Sequence, residues 1–180
     1  MRMPVVSGVA GGVGARTLAL ALGVGINPPG QHSACDVLVC RGTVHSVGLA
    51  ERHVATVRRP VLLAVVVDGQ GLPFAARAKL KMIAPHVAGM IKVPWVPRWR
   101  EITDPYAEAA RLASSTADEV PKHLRAYHAT VMQLAHHLAA TLSPAVTAAP
   151  APALGAAPLS PAAPPARPPS HPFRTTAGGH

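Results

Sequence analysis

Four short runs of the chain are apolar at nearly every position: residues 3–7 (MPVVS), 36–40 (DVLVC), 61–67 (VLLAVVV) and 87–93 (VAGMIKV). A strand covered on one face alternates apolar and polar residues; runs without alternation are the pattern of strands buried on both faces. Between and after these runs the apolar period lengthens to three or four. Val44, Val47, Ala50, Val54 and Val57 share one helical stripe, and the segment 73–84 opens on a proline and stops before Pro85. Helices are thus predicted over 15–24, 44–57, 73–84, 105–114 and 121–142. Strands alternating with helices of this length predict βαβ units with right-handed crossovers. The fold class is therefore α/β: a single domain over residues 1–142 with a short, mostly parallel sheet flanked by helices.

The last helix carries the most regular stripe, Leu124, Tyr127, Val131, Leu134, Leu138 and Leu142. It has three open fates: packing on the sheet, pairing with a partner helix, or lying on a membrane. Lys122 and Arg125 are its only firm cations, so anionic lipid gains little and membrane association is not expected. Past Ser143 the pattern ends. Prolines punctuate an alanine-rich run with few bulky apolar residues, so 143–180 is expected to be a disordered tail of extended character. Within it, 163–169 (APPARPP) reads as a spacer or as a ligand for a proline-binding domain.

Chemistry enters at the first strand-to-helix turn, VAGGVGART. Gly11, Gly12 and Gly14 let the backbone approach an anion closely, with N–H groups turned inward, and the helix beginning near Ala15 adds its positive dipole end. Gly11, Gly12, Val13, Gly14, Ala15, Arg16 and Thr17 are therefore the candidate phosphate-binding residues. A complete loop, G-x-x-x-x-G-K-[ST], supplies a lysine to the outer phosphates and a hydroxyl to Mg²⁺. Here Ala15 and Arg16 follow Gly14, Thr17 arrives one place late, and Gly8 stands one residue too far away.

The segment resembles the loop of the ParA/MinD family of partitioning and division-site ATPases, whose variant form reads K-G-G-x-G-K-T-T. Alignment on Gly11-Gly12-Val13-Gly14 puts Ala10 at the family's signature lysine, Ala15 at the general P-loop lysine and Arg16 at the Mg²⁺-binding threonine. Two charge-assisted hydrogen bonds lost at ~1.5–3 kcal/mol each amount to ~10²–10⁴ in affinity. Hydrolysis loses more, because it rests on electrostatic stabilisation of the transferring group. The likeness continues at residues 34–47 (ACDVLVCRGTVHSV), 61–69 (VLLAVVVDG) and 87–104 (VAGMIKVPWVPRWREITD), similar to later strands of that core. It implies a P-loop NTPase-like fold, with ATP and Mg²⁺ as weak ligands at most. Some twenty residues separate the loop from Asp36, too few for the switch regions, two further strands and Walker B. That deletion implies a first strand, 3–7, at or near a sheet edge, with the others ordered outward. The edge is then covered by 25–34 or pairs with another protomer. Asp68 ends an apolar run, as a Walker B aspartate does, or begins a strand-to-helix turn with Gly69.

Composition and candidate chemistry change the picture in four places. A net charge of +9 and a pI near 10.8 suit an anionic partner such as nucleic acid, or a generic arginine-rich surface. Aromatics are scarce, yet Trp95 and Trp99 interleave with Arg98 and Arg100 after a predicted strand. This segment either contacts bases and phosphates or caps the core while the arginines are solvated. Cys35 and Cys40, five apart on a predicted strand, fall on opposite faces and read as free thiols of a cytoplasmic protein. No histidine pair has the spacing of a helical zinc site, so no metal site is expected. The sequence reads most simply as a non-catalytic regulatory or interaction protein, a pseudo-ATPase with a protein partner or a homodimer. A weak ATPase and a nucleic-acid-binding module are the rivals.

Overall fold

The computed structural model describes residues 2–28, 31, 34–69 and 71–142. The tail expected over 143–180, with its proline motif, lies outside the described residues. In chain order the elements are β1 (Val5–Gly8), α1 (Ala15–Leu22), β2 (Gly25–Ile26), β3 (Val37–Arg41), α2 (Val44–Val54), β4 (Leu62–Val67), α3 (Phe74–Ile83), β5 (Gly89–Pro94), α4 (Pro105–Leu112) and α5 (Arg125–Leu142). The five strands form one parallel sheet in the order β2-β1-β3-β4-β5. This is a doubly wound order: the chain crosses one way from β1 to β2, then the other way through β3, β4 and β5.

With right-handed crossovers, such a reversal puts α1 on one face and α2 and α3 on the other. The core divides in that way. Leu18 of α1, Ala109 of α4 and Leu134 of α5 pack with Val6, Val39, Ala64 and Val93. Val47 and Ala50 of α2 and Leu80 of α3 pack with Leu38, Cys40, Leu63 and Val65. No residue of 37–40 or 62–65 is more than 3% exposed. Both faces are covered, which is why these runs do not alternate.

β1 is not an edge strand. Gly25 and Ile26 pair on its outer side with Val5 and Val6, so it lies between two strands of the same chain. That overturns the expectation that deletion of the family's middle strands leaves the first strand at an edge. The remaining strands do run outward from it in order. The start of the segment 25–34 supplies the cover. Asn27 N bonds Val6 O at 2.9 Å, and the Asn27 side-chain amide donates to the buried Ser7 hydroxyl at 2.8 Å. A two-residue strand is enough here because β1 itself is only four residues long, and so short an edge offers little to a foreign strand. At the opposite end Asp36 accepts from Val5 N at 2.9 Å and pairs with Arg2, fixing where β1 begins.

The α5 stripe packs on the sheet: Tyr127, Val131, Leu134 and Leu138 are buried and Leu142 is half-buried against the same core. It is therefore taken up within the chain. α1 stops at Leu22, short of the expected Val24, because the chain must turn there to bring Gly25 beside β1. The two cysteines do not sit on opposite faces of a strand. Cys35 precedes β3, and both join the core layer under α2 and α3 as free thiols.

Candidate functional site

All the candidate residues lie toward the carboxyl ends of the strands, where open α/β sheets bind ligands. The glycine loop leaves β1 with Val9 N still bonded to Val39 O at 3.0 Å. Gly12 and Gly14 adopt φ of 71° and 95°, a left-handed conformation that L side chains rarely accept. Val13 between them folds into the core. Leu18 N donates to Gly14 O at 3.0 Å, the first bond of α1. The N–H groups of Ala15, Arg16 and Thr17 thus open the helix without intrahelical partners, at the positive end of its dipole.

The side chains that follow diverge. Ala15 is 9% exposed and belongs to the core. Arg16 is exposed and its guanidinium lies 4.5 Å from the centroid of Tyr106. Thr17 is half-buried and lines the two clefts along the loop. Gly11 faces open space, with nothing within 4 Å of where a Cβ would be. The loop's backbone is open at Gly11 and Gly12, and the two side chains after Gly14 are a buried methyl group at Ala15 and an arginine lying over the Tyr106 ring.

Two neighbours complete the loop. Arg41, at the end of β3, donates from Nη2 to Gly12 O at 2.7 Å, while its own backbone N–H donates to the Ser46 hydroxyl at 2.9 Å. Tyr106 arrives on the first turn of α4, which Asp104 caps by accepting from Tyr106 N and Ala107 N at 3.1 and 2.9 Å. Sequence reasoning singled out neither. Arg41 had a signal: it is the first charged residue after an all-apolar strand, at the point where the winding reverses.

Asp68 is exposed, and its carbonyl accepts from Gly71 N at 3.1 Å, closing a strand-to-helix turn. It lines a cleft of about 300 Å³ with Arg41, Thr43, Trp95 and Arg100. It does not line either cleft along the glycine loop, although Val66, two residues before it on β4, lines one of them. Asp68 thus forms a strand-to-helix turn and belongs to a different cleft from the loop.

The tryptophans separate as well. The indole N–H of Trp99 donates to Glu108, whose other oxygen is 3.2 Å from His123 Nε2. Its ring meets Tyr127 edge-on at 4.8 Å and packs on the core. Trp95 is half-buried at the end of the sheet with the Arg100 guanidinium 5.0 Å from its ring. Arg98, on the same turn (Pro97–Arg100), is exposed. Burial raises the Tyr127 hydroxyl well above its ordinary pKa, so it stays protonated.

Among the described residues no group of three His, Cys, Asp or Glu assembles to hold a metal ion, and no helix is long and apolar enough to cross a membrane. Comparison with family models, with curated proteins and with solved structures finds no match.

Proposed function

We propose that this is a non-catalytic regulatory or interaction protein on a ParA/MinD-like scaffold, whose glycine loop accepts an anion without a metal ion. One observation carries the reading: where the resemblance calls for a lysine and a Mg²⁺-binding hydroxyl, Ala15 is buried in the core and Arg16 lies over Tyr106 at 4.5 Å. An anionic ligand at the loop meets open helix amides and the nearby charges of Arg16 and Arg41. That recognises negative charge, yet it places no hydroxyl at the position the resemblance assigns to the Mg²⁺ ligand and no lysine at the outer phosphates. The test is the double variant Ala15→Lys with Arg16→Thr, which restores both groups. Its Mg·ATP affinity is expected to rise by about 10² or more over the parent. Equal affinity in parent and variant contradicts the reading.

A second reading, single-stranded nucleic acid at the Trp/Arg segment, is favoured by the stack of Arg100 on the half-buried Trp95 beside Arg41. Binding should then weaken with added salt and fall with Arg98→Ala/Arg100→Ala in a mobility-shift titration. Unchanged binding by the variant returns both arginines to the solvated surface.

A further inference from the structure

The chain has two tryptophans, two tyrosines and two phenylalanines in 180 residues. Both tryptophans and both tyrosines wall a single cavity of about 200 Å³. Protein interiors close up around aromatic side chains and leave few voids larger than a water molecule. Trp99 and Tyr127 satisfy that rule toward each other, ring edge on ring face at 4.8 Å. Trp95, from the end of β5, and Tyr106, from the start of α4, complete walls around space that no side chain fills.

The cavity does not stand alone. Gly12, Gly14, Thr17 and Tyr106 also line the cleft of about 130 Å³ that runs along the glycine loop to the start of α1. An aromatic chamber and an anion cradle thus adjoin across shared residues. One cation stands where the two spaces meet: Arg16, which lines the loop cleft, lies over Tyr106 at 4.5 Å. Its guanidinium disfavours a cationic ligand such as the quaternary ammonium compounds that aromatic cages otherwise take. The chamber is also small, below the roughly 300–1,000 Å³ of pockets that enclose drug-sized ligands and cofactors.

We infer that this paired cavity binds a small single-ring aromatic anion, its ring among Trp95, Trp99, Tyr106 and Tyr127 and its carboxylate or phosphate at the glycine loop. The inference rests on the reading of the loop as a metal-free anion cradle and names the ligand class of that same site. Ring stacking supplies affinity and size selection; the amides of α1 and Arg16 supply the preference for negative charge.

The test is titration of the full chain with phenyl phosphate and with benzoate in the presence of EDTA, beside inorganic phosphate and acetate as their ring-free counterparts. Calorimetry gives the affinities, and intrinsic fluorescence reports directly because the only tryptophans line the cavity. At least one aromatic anion should bind roughly tenfold or more tighter than its ring-free counterpart. Tyr106→Ala should abolish that preference; at 42% exposed, Tyr106 is removable without loss of the core. Should that variant melt early, Tyr106→Leu keeps apolar volume and removes the ring, with the same expectation. Equal binding of ringed and ring-free anions overturns the inference, as does a preference that survives in both variants. Tighter binding of AMP than of phenyl phosphate also overturns it, because the chamber then takes a nucleobase. These failures differ from failure of the metal-free reading, whose sign is tight, Mg²⁺-dependent ATP binding.

Discussion

Cys40 lies at the centre of the sheet with no exposed surface, and burial pushes its thiol up to about 12 from an ordinary 9.0. Between those values the unfolded chain loses the proton and the native state keeps it. The folded pKa is the raised one, so the native state holds its full advantage below pH 9 and loses it as pH climbs toward 12. Cys40→Val should flatten the fall of unfolding free energy over that window by an amount on the order of a few kcal/mol. Urea denaturation at a series of alkaline pH values measures it, and an unchanged slope refutes the assignment. Tyr127 is shifted in the same direction by burial from an ordinary 10.0, so it adds its own fall from about pH 10 upward in both proteins. At this scale the sequence was readable wherever a residue acts through its neighbours in the chain. The open start of α1 belongs to that group, as does the turn at Asp68, whereas the inward turn of Val13, read as part of the phosphate loop, does not. Arg41 and Tyr106 were not, because each acts on the loop from about 30 and 90 residues away.

Among the elements, α5 binds the outer strand to the rest of the core. Its apolar stripe has the 3.6-residue period of a packed helix, which marked the buried face but left open what covers it; the structure packs it on the sheet. Leu134 is fully buried on that stripe. Leu134→Ala should cost about 2–5 kcal/mol, read as a lower denaturation midpoint with an unchanged slope. A change of less than about 0.5 kcal/mol would mean that the helix is not held on the sheet. The same periodicity failed for β2. Gly25 and Ile26 carry no two-residue alternation to recognise, and only pairing with Val5 and Val6 makes them a strand. β1 was expected at an edge because the middle strands of the resemblance are absent, and this pair takes their place beside it. Val44 departs from its stripe for a related reason: it begins α2 at the carboxyl end of the sheet and stays 41% exposed.

At the scale of the whole molecule, strand–helix alternation led to a parallel sheet covered on both faces, and the sheet is of that kind. The strand order follows from it only partly, since the two-residue strand decides which way the first crossover goes. The site was half visible. The glycine loop declares itself in sequence, but the gathering of four aromatic residues beside it depends on the order in which β5, α4 and α5 fold back on that loop. The glycine loop is proposed to take its anion without metal. Calorimetric titration of the full chain with ATP, once with Mg²⁺ and once with EDTA, is the test. Affinity is expected to be no tighter than about millimolar and the same in both conditions. Micromolar binding that requires Mg²⁺ would overturn the metal-free reading.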